Sequence, residues 1–532
     1  MKTWIGIPTV PLMEQTATVK SLLDVIGRQQ GMITDLVTDI EILKEEIKRL
    51  KGHKGKPRMS PSKMDKEDKK DSSDSKKRAG SDKRHKNDEL KIDEEKTIAA
   101  RDIPEGSRFK GYHYYVVQEL QLQTKNTRYR LERWQLPDGR YVIASLPTAL
   151  VGYHFGPLLR SFIDYQYHHQ HVTQPLLLEQ LRDYGVAISA GELNRLIVED
   201  KEIFHEEKTG ILPAGLGVSS YIHVDDTGAR HQGKNGYCTH IGNELFAWFE
   251  STGSKSRINF LELLQMGRQR YAVNRDGLAY MKKHKLPRES FCLLQNANVK
   301  EFLNVGLWEK HLNGLGIKKQ RHRQIATEGA LVGSILAQGF FVDLTIMSDD
   351  AGQFNIFQHI LCWVHAERKI NTLIPLNDTH AKEITHIRSL FWALYASLKA
   401  YKLMPHDELK IEIEKSFDGL CATKTSYQLL NNALKRLRKN KEELLLVLKH
   451  PTLPLHNNLS ERDIREYVKK RKISGSTRSD DGRRCRDTFA SLKKTCRKLK
   501  VNFWEYLLDR HSKKFNIPSI PTLIGQVAAT MA

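Results

Sequence analysis

The sequence predicts an α/β core, a mixed sheet with helices, that carries a large all-α insertion and follows a helical N-terminal arm. Three observations predict it. Residues 219–250 alternate apolar and polar positions like three short strands. Residues 339–352, GFFVDLTIMSDDAG, read as a buried strand that stops at two aspartates, and 380–450 is almost wholly helical in its periodicity. The 532 residues suffice for about three domains.

Composition narrows the function classes. No stretch approaches the ~18 uncharged apolar residues of a spanning helix, and the opening MKTWIGIPTVPLMEQTATVK lacks the apolar block of a signal peptide. A membrane partner is therefore not expected. Six cysteines without a CxxC pair point to reduced thiols in a cytoplasm. Lys and Arg number 85 against 63 Asp and Glu, a net charge of +22, so the expected partner is a polyanion. The excess is uneven: residues 462–500 hold 15 Lys/Arg and 5 Asp/Glu.

Along the chain, 1–50 reads as a coiled-coil oligomerisation helix. Leu22, Ile26, Ile33, Leu36, Ile40, Leu43, Ile47 and Leu50 follow three- and four-residue steps, interrupted at Gln29. The alternative is a lone amphipathic helix on its own chain, since Gly27 and Gly31 weaken the early turns. Residues 51–100 read as a disordered charged linker. Residues 105–150 form a small β region, with strands expected in YHYYVVQEL, TRYRLERWQL and RYVIASL, the last two split by Pro137-Asp138-Gly139. Residues 151–210 show helical patterns at 156–169, 174–184 and 190–205, the last opened by Ser189 with Glu192 as a capping box. Gly185 falls in the turn before it, a helix-turn-helix spacing that makes Asn194 and Arg195 candidate DNA-reading residues; an ordinary three-helix unit is the alternative.

Residues 215–475 hold the candidate catalytic domain. Strands are expected up to Asp225, near Tyr237 to Ile241 and at Leu245 to Phe249, then a helix at 256–267. An insertion at about 268–335 precedes the strand that ends at Asp349. FNIFQHILCWVHAERKI reads as one helix, a second insertion spans 375–450, and HNNLSERDIREYVKKRK begins a new helix. Residues 476–532 read as a basic helical C-terminal region.

Two strand ends thus each present a carboxylate, Asp225 and Asp349, and Glu461 opens a later helix. Phosphodiester chemistry at paired Mg²⁺ ions needs such oxygen ligands. The bland alternative is turn chemistry for each Asp pair and a surface i,i+4 pair for Glu461 and Arg465. Strands, helix, a second acidic strand and a Glu-bearing helix follow in the order of an RNase H-like layout.

HVDDTGAR, IMSDDAGQF, CWVHAERK and HNNLSERDIR, in that order, closely resemble the motifs of DDE transposases from bacterial insertion sequences, specifically insertion-sequence family sixty-six. The resemblance covers roughly residues 150–511 and the N-terminal seam. It implies that Asp225, Asp349 and Glu461 form a catalytic, metal-binding triad holding two Mg²⁺ or Mn²⁺ ions, with Asp226 and Asp350 as neighbours. Cys362 and His365 match a Cys/Asp-x-x-His signature, which places His365 near the site; taken alone, such a pair is more often core filler than a zinc site. In the family a cysteine-rich zinc-binding segment ordinarily precedes the helical region; residues 105–150 contain no Cys, so no zinc is expected. The implied function is Mg-dependent cleavage of transposon ends and strand transfer into target DNA by a bacterial cytoplasmic, nucleoid-associated enzyme. Its partners would be DNA, further copies of itself and possible accessory proteins of the same element. Arg462, Arg465, Lys469 and Lys472 would neutralise phosphates, in a run continuing through Arg483, Arg484 and Arg486. A non-catalytic transposase-derived DNA-binding protein and an RNase H-like nuclease without strand transfer remain alternatives.

Overall fold

A computed structural model describes residues 16–50, 91–101, 104–339 and 344–531. At its centre is a five-stranded mixed sheet formed by β1 (Tyr221–Gly228), β2 (Tyr237–Gly242), β3 (Ala247–Thr252), β4 (Thr345–Ser348) and β5 (Gln358–Leu361). The spatial order is β3-β2-β1-β4-β5; β1–β2 and β2–β3 are antiparallel, β1–β4 and β4–β5 parallel. β1 does not stop at Asp225, because its ladder with β2 continues to Gly228 opposite Tyr237. β5 is a strand where a helix is expected. Four residues of mixed character between Phe357 and Cys362 fit either periodicity, and pairing with β4 decides between them.

The N-terminal segment is one helix, α1 (Ala17–Leu50), unbroken at Gly27 and Gly31. Its apolar seam is open: Ile33, Leu36, Ile40, Leu43 and Ile47 are all about half exposed. Most of the expected linker, 51–90, lies outside the described residues. Of the expected three-stranded region at 110–147, only a hairpin forms, Arg133–Gln135 with Tyr141–Ile143 around the Pro137-Asp138-Gly139 turn. YHYYVVQEL makes no strand; its Tyr and Val side chains are mostly exposed, with no second layer to bury them.

Helices Pro157–Asp164, Gln174–Asp183 and Ala190–Val198 enclose their own core of Ile163, Leu177, Leu181, Ile188, Leu193 and Ile197. Ser189 Oγ accepts from Glu192 N at 3.1 Å, as the capping pattern requires. The expected 190–205 helix is two helices, since Asp200 takes a positive φ of 55° before Glu202–Gly217 begins.

α2 (Arg257–Leu264) follows β3. The first insertion, with helices Arg275–Lys283, Arg288–Asn296, Val305–Gly314 and Gln320–Leu336, shares one hydrophobic core with the sheet through Trp308, Leu312 and Ile335. Beyond β5 comes α3 (Trp363–Asn371), and the second insertion, Asp378–Leu403, Asp407–Ala422 and α4 (Gln428–Lys439), closes a separate core around Trp363, Phe391 and Phe417.

α5 (Asn458–Ser474) lies against β1 and β2, and α6 (Asp480–Lys498) against β3. The basic C-terminal stretch thus packs through α6 on the central sheet. Thr495 Oγ1, Ser491 Oγ and Asp487 Oδ2 accept from the backbone N–H groups of Ala247, Phe249 and Ser251 at 3.2, 2.9 and 2.8 Å. Four helical residues rise about 6 Å and two strand residues about 6.7 Å, so alternate edge donors meet every fourth helix side chain. The open sheet edge is thereby closed to further strands. Among the described residues no helix is long and apolar enough to cross a membrane.

Candidate active site

The parallel ladder joins Tyr221 to Thr345, Ile222 to Ile346 and His223 to Met347, an offset of 124 residues. Asp225 and Asp349 are also 124 apart, so the same register carried on two residues sets Asp225, within β1, level with Asp349, one residue past the end of β4. Side chains alternate along a strand, which puts Asp226 and Asp350 in a different setting. Asp226 accepts from Thr239 Oγ1 at 2.5 Å and Gln353 Nε2 at 3.0 Å. Asp350 is taken up by Lys369 of α3 and by Arg436 of α4, the latter at 2.5 Å. Among the described residues the Asp349 carboxylate accepts a local bond from Ala351 N, 3.0 Å, while its backbone carbonyl accepts from Ser348 Oγ at 2.6 Å, the turn chemistry allowed for above.

Glu461 sits in the first turn of α5, where the helix dipole favours a carboxylate. Its Oε1 lies 3.2 Å from His365 Nε2 and 3.5 Å from Arg368 Nη2, both on α3. The i,i+4 pairing with Arg465 does not form. Burial, the neighbouring Asp349, and then Asp226 and Glu461 push the Asp225 carboxyl up to about 7. His365 is depressed, chiefly by burial. Cys362 is buried, its thiol pushed up to about 11 by that burial, and its Sγ accepts from Asn457 N at 3.1 Å.

Asn457 is the residue that motif reasoning passed over. Fully buried, it donates from Nδ2 to Val224 O at 2.9 Å and places Oδ1 2.8 Å from His223 Nδ1. Its backbone carbonyl accepts from Glu461 N at 3.2 Å. One side chain and its peptide groups thus tie the strand of Asp225, the start of α3 and the helix of Glu461 together. The only signal in the sequence is its place in HNNLSERDIR. On the other flank, His240, opposite Asp225 in the ladder, meets Ser460 Oγ at 2.7 Å and Asp463 at 3.3 Å.

The phosphate-contact candidates divide. Arg462, Arg465, Lys469 and Lys472 are exposed on α5. The first three line a depression with His169, His171 and Arg497, while Asp463 and Glu466 of the same helix turn inward to Lys493, Lys494 and Lys498. Arg484 pairs with Glu202 at 2.9 Å, Arg483 with Asp480 at 2.9 Å, and Arg486 donates to Gly475 O, so the basic run does not continue as one free face. Asn194 and Arg195 are exposed; Asn194 accepts from Gln174 at 3.1 Å and Arg195 pairs with Glu192 at 2.5 Å.

Among the described residues no group of three or more His, Cys, Asp or Glu side chains is placed to hold a metal ion as it stands. The chemistry of the donor set still suits a hard cation: oxygen ligands, no free thiolate, and an Asp225 carboxyl raised to about 7 by burial and then by its acidic neighbours. That crowding has a measurable cost. A folded pKa near 7, above the ordinary carboxylate value, means the folded state binds the extra proton, so stability falls as pH rises between about 4 and 7. In chelator, Asp225→Asn is expected to melt higher than the parent at pH 8, by up to about 4 kcal/mol at ~1.4 kcal/mol per pKa unit, and equally at pH 3. Equal melting at both pH values would show that Asp225 is not strained.

Fold and site define a class, an α/β protein whose central sheet sets two aspartates side by side, with a helix-borne glutamate anchored to the same strands. Residues 317–484 match the family model described as Transposase IS66 family; the match takes in Asp349, His365 and Glu461 and begins after Asp225. The chain is also 41% identical over 303 residues to the uncharacterized protein y4jO of Sinorhizobium fredii, an alignment covering 56% of this chain and 94% of that relative. The chain belongs to the IS66 transposase family.

Proposed function

We propose that this protein is a DNA transposase of the DDE type, built on an RNase H-like core, that cleaves the ends of its element and joins the freed 3′-hydroxyl to target DNA. The observation that carries the reading is the shared 124-residue offset, which sets Asp225 beside Asp349 while Asn457 holds the helix of Glu461 to the same strand. Asp225, Asp349 and Glu461 would hold two Mg²⁺ or Mn²⁺ ions, which when bound supply charge neutralisation at the phosphate and an activated water. His365 and Arg368 orient Glu461, and the exposed face of Arg462, Arg465, Lys469 and Lys472 binds phosphate backbone without reading sequence. Asn194 and Arg195 would discriminate the element's end from other DNA. The test is incubation of the full chain with Mg²⁺, duplexes taken from the flanks of the coding region and a second, target duplex. Cleavage followed by joined products supports the reading; cleavage that never yields joined products makes the protein a nuclease, and binding without cleavage makes it a DNA-binding derivative.

The exposed seam of α1 would pair with α1 of further copies, its polar face meanwhile docking on the second insertion, where Glu41 accepts from Gln428 N and Leu429 N at 3.2 and 2.9 Å. Ile40→Asp combined with Ile47→Asp is expected to reduce the mass in sedimentation to that of one chain, since a charge at two core positions of a coiled coil is not tolerated. An unchanged mass would remove the coiled coil from the reading.

A further inference from the structure

The first insertion forms one side of a cleft that lies apart from Asp225, Asp349 and Glu461 and reaches the acids only through Gln353. One wall is the start of α2, with Lys255 and Arg257; the other is the insertion, with His284 and with Arg321 at the head of Gln320–Leu336; the floor is Gly352–Gln353, the loop that leaves Asp349. Gln353 also donates to Asp226, so the cleft opens one side chain away from the acids. Its charge is one-sided. Among the described residues the single acid lining it, Glu328, is taken by Tyr280 Oη at 2.6 Å, Gln324 at 2.9 Å and Arg257 at 3.5 Å. Arg257 is further committed to Tyr280 Oη and Gly352 O, a structural role that braces the cleft. Lys255 and Arg321 are exposed and form no ion pair among the described residues, Lys255 Nζ lying 5.4 Å from the centroid of the Tyr237 ring, so two cations line an open, basic trough.

We propose that this cleft binds phosphodiester oxygens of the DNA strand whose neighbouring phosphate lies at Asp225 and Asp349, and that the 268–335 insertion exists to supply its outer wall. The proposal rests on the transposase reading and deepens it. A groove of Lys and Arg beside a cluster of acids holds a polyanion in place while the acids themselves repel it.

The experiment measures affinity of the full chain for a flank-derived duplex across a series of salt concentrations. Each phosphate contact contributes a log-log slope of about −0.9, so Lys255→Ala with Arg321→Ala is expected to flatten the parent slope by about two units. Lys282→Ala with Lys283→Ala, exposed on the same insertion but outside the cleft, removes equal charge and is expected to leave the slope unchanged. Lys255→Arg with Arg321→Lys is expected to keep the parent slope. If the first double variant matches the parent, or the control pair flattens the slope equally, the cleft is not a DNA contact. If inorganic phosphate protects the parent but not the first variant from thermal unfolding while both slopes agree, the cleft holds a free anion and the DNA assignment is overturned. A parent that binds no duplex at any salt overturns the transposase reading itself, a result distinct from both.

Discussion

Asp349→Ala is expected to abolish DNA cleavage while leaving affinity for the element's end within about twofold of the parent, because phosphate contacts and the acid cluster lie in different residues. The same holds for Asp225→Ala and Glu461→Ala. Removing one group that stabilises developing charge typically costs about 10²–10³ in rate, and a group needed for ligation is expected to cost at least that. Asp350→Ala provides the internal contrast: with its carboxylate spent on Lys369 and Arg436, the variant is expected to loosen α3 and α4 yet retain cleavage. If Asp350→Ala were dead and Asp349→Ala active, the acid register would shift by one residue. Cleavage retained in every single variant would exclude a carboxylate mechanism altogether.

The second large effect is expected at Asn457. Truncation to Ala leaves Val224 O and His223 Nδ1 without partners in a fully buried place, and each buried polar group left unpaired costs about 1–3 kcal/mol. A loss of about 2–5 kcal/mol in unfolding free energy follows, larger than most substitutions produce. Because the same residue sets the start of α5, cleavage is expected to fall together with stability, whereas Thr239→Val, on β2 opposite Asp226, is expected to perturb Asp226 alone. Asn457→Asp keeps the acceptor toward His223 but sets a buried carboxylate oxygen against the Val224 carbonyl, so its stability is expected at or below that of the Ala variant, and the added negative charge depresses cleavage further. Parent-like stability and cleavage in Asn457→Ala would show that α5 is positioned by the His240–Ser460–Asp463 contacts instead.

Local chemistry was legible where a residue's neighbours in sequence are also its neighbours in space. The Ser189–Glu192 cap, the Pro137-Asp138-Gly139 hairpin and the β2–β3 antiparallel pair are such cases. The missing strand at YHYYVVQEL shows the limit, because apolar alternation forms a strand only where a second layer covers it.

By itself, then, the sequence determined the α/β composition, the helical character of the second insertion and the basic charge, and it singled out the acids on which the proposal rests. Only the tertiary structure decided that Asp225 and Asp349 share a level, that β5 is a strand, that α6 closes the edge of β3, and that Asn457 joins three elements. The physical reason is that parallel pairing, edge capping and buried side-chain links connect residues more than a hundred positions apart or depend on a partner surface. Nothing in a local window encodes an offset of 124 residues; it exists only once the insertion between β3 and β4 has folded and brought the two strands together.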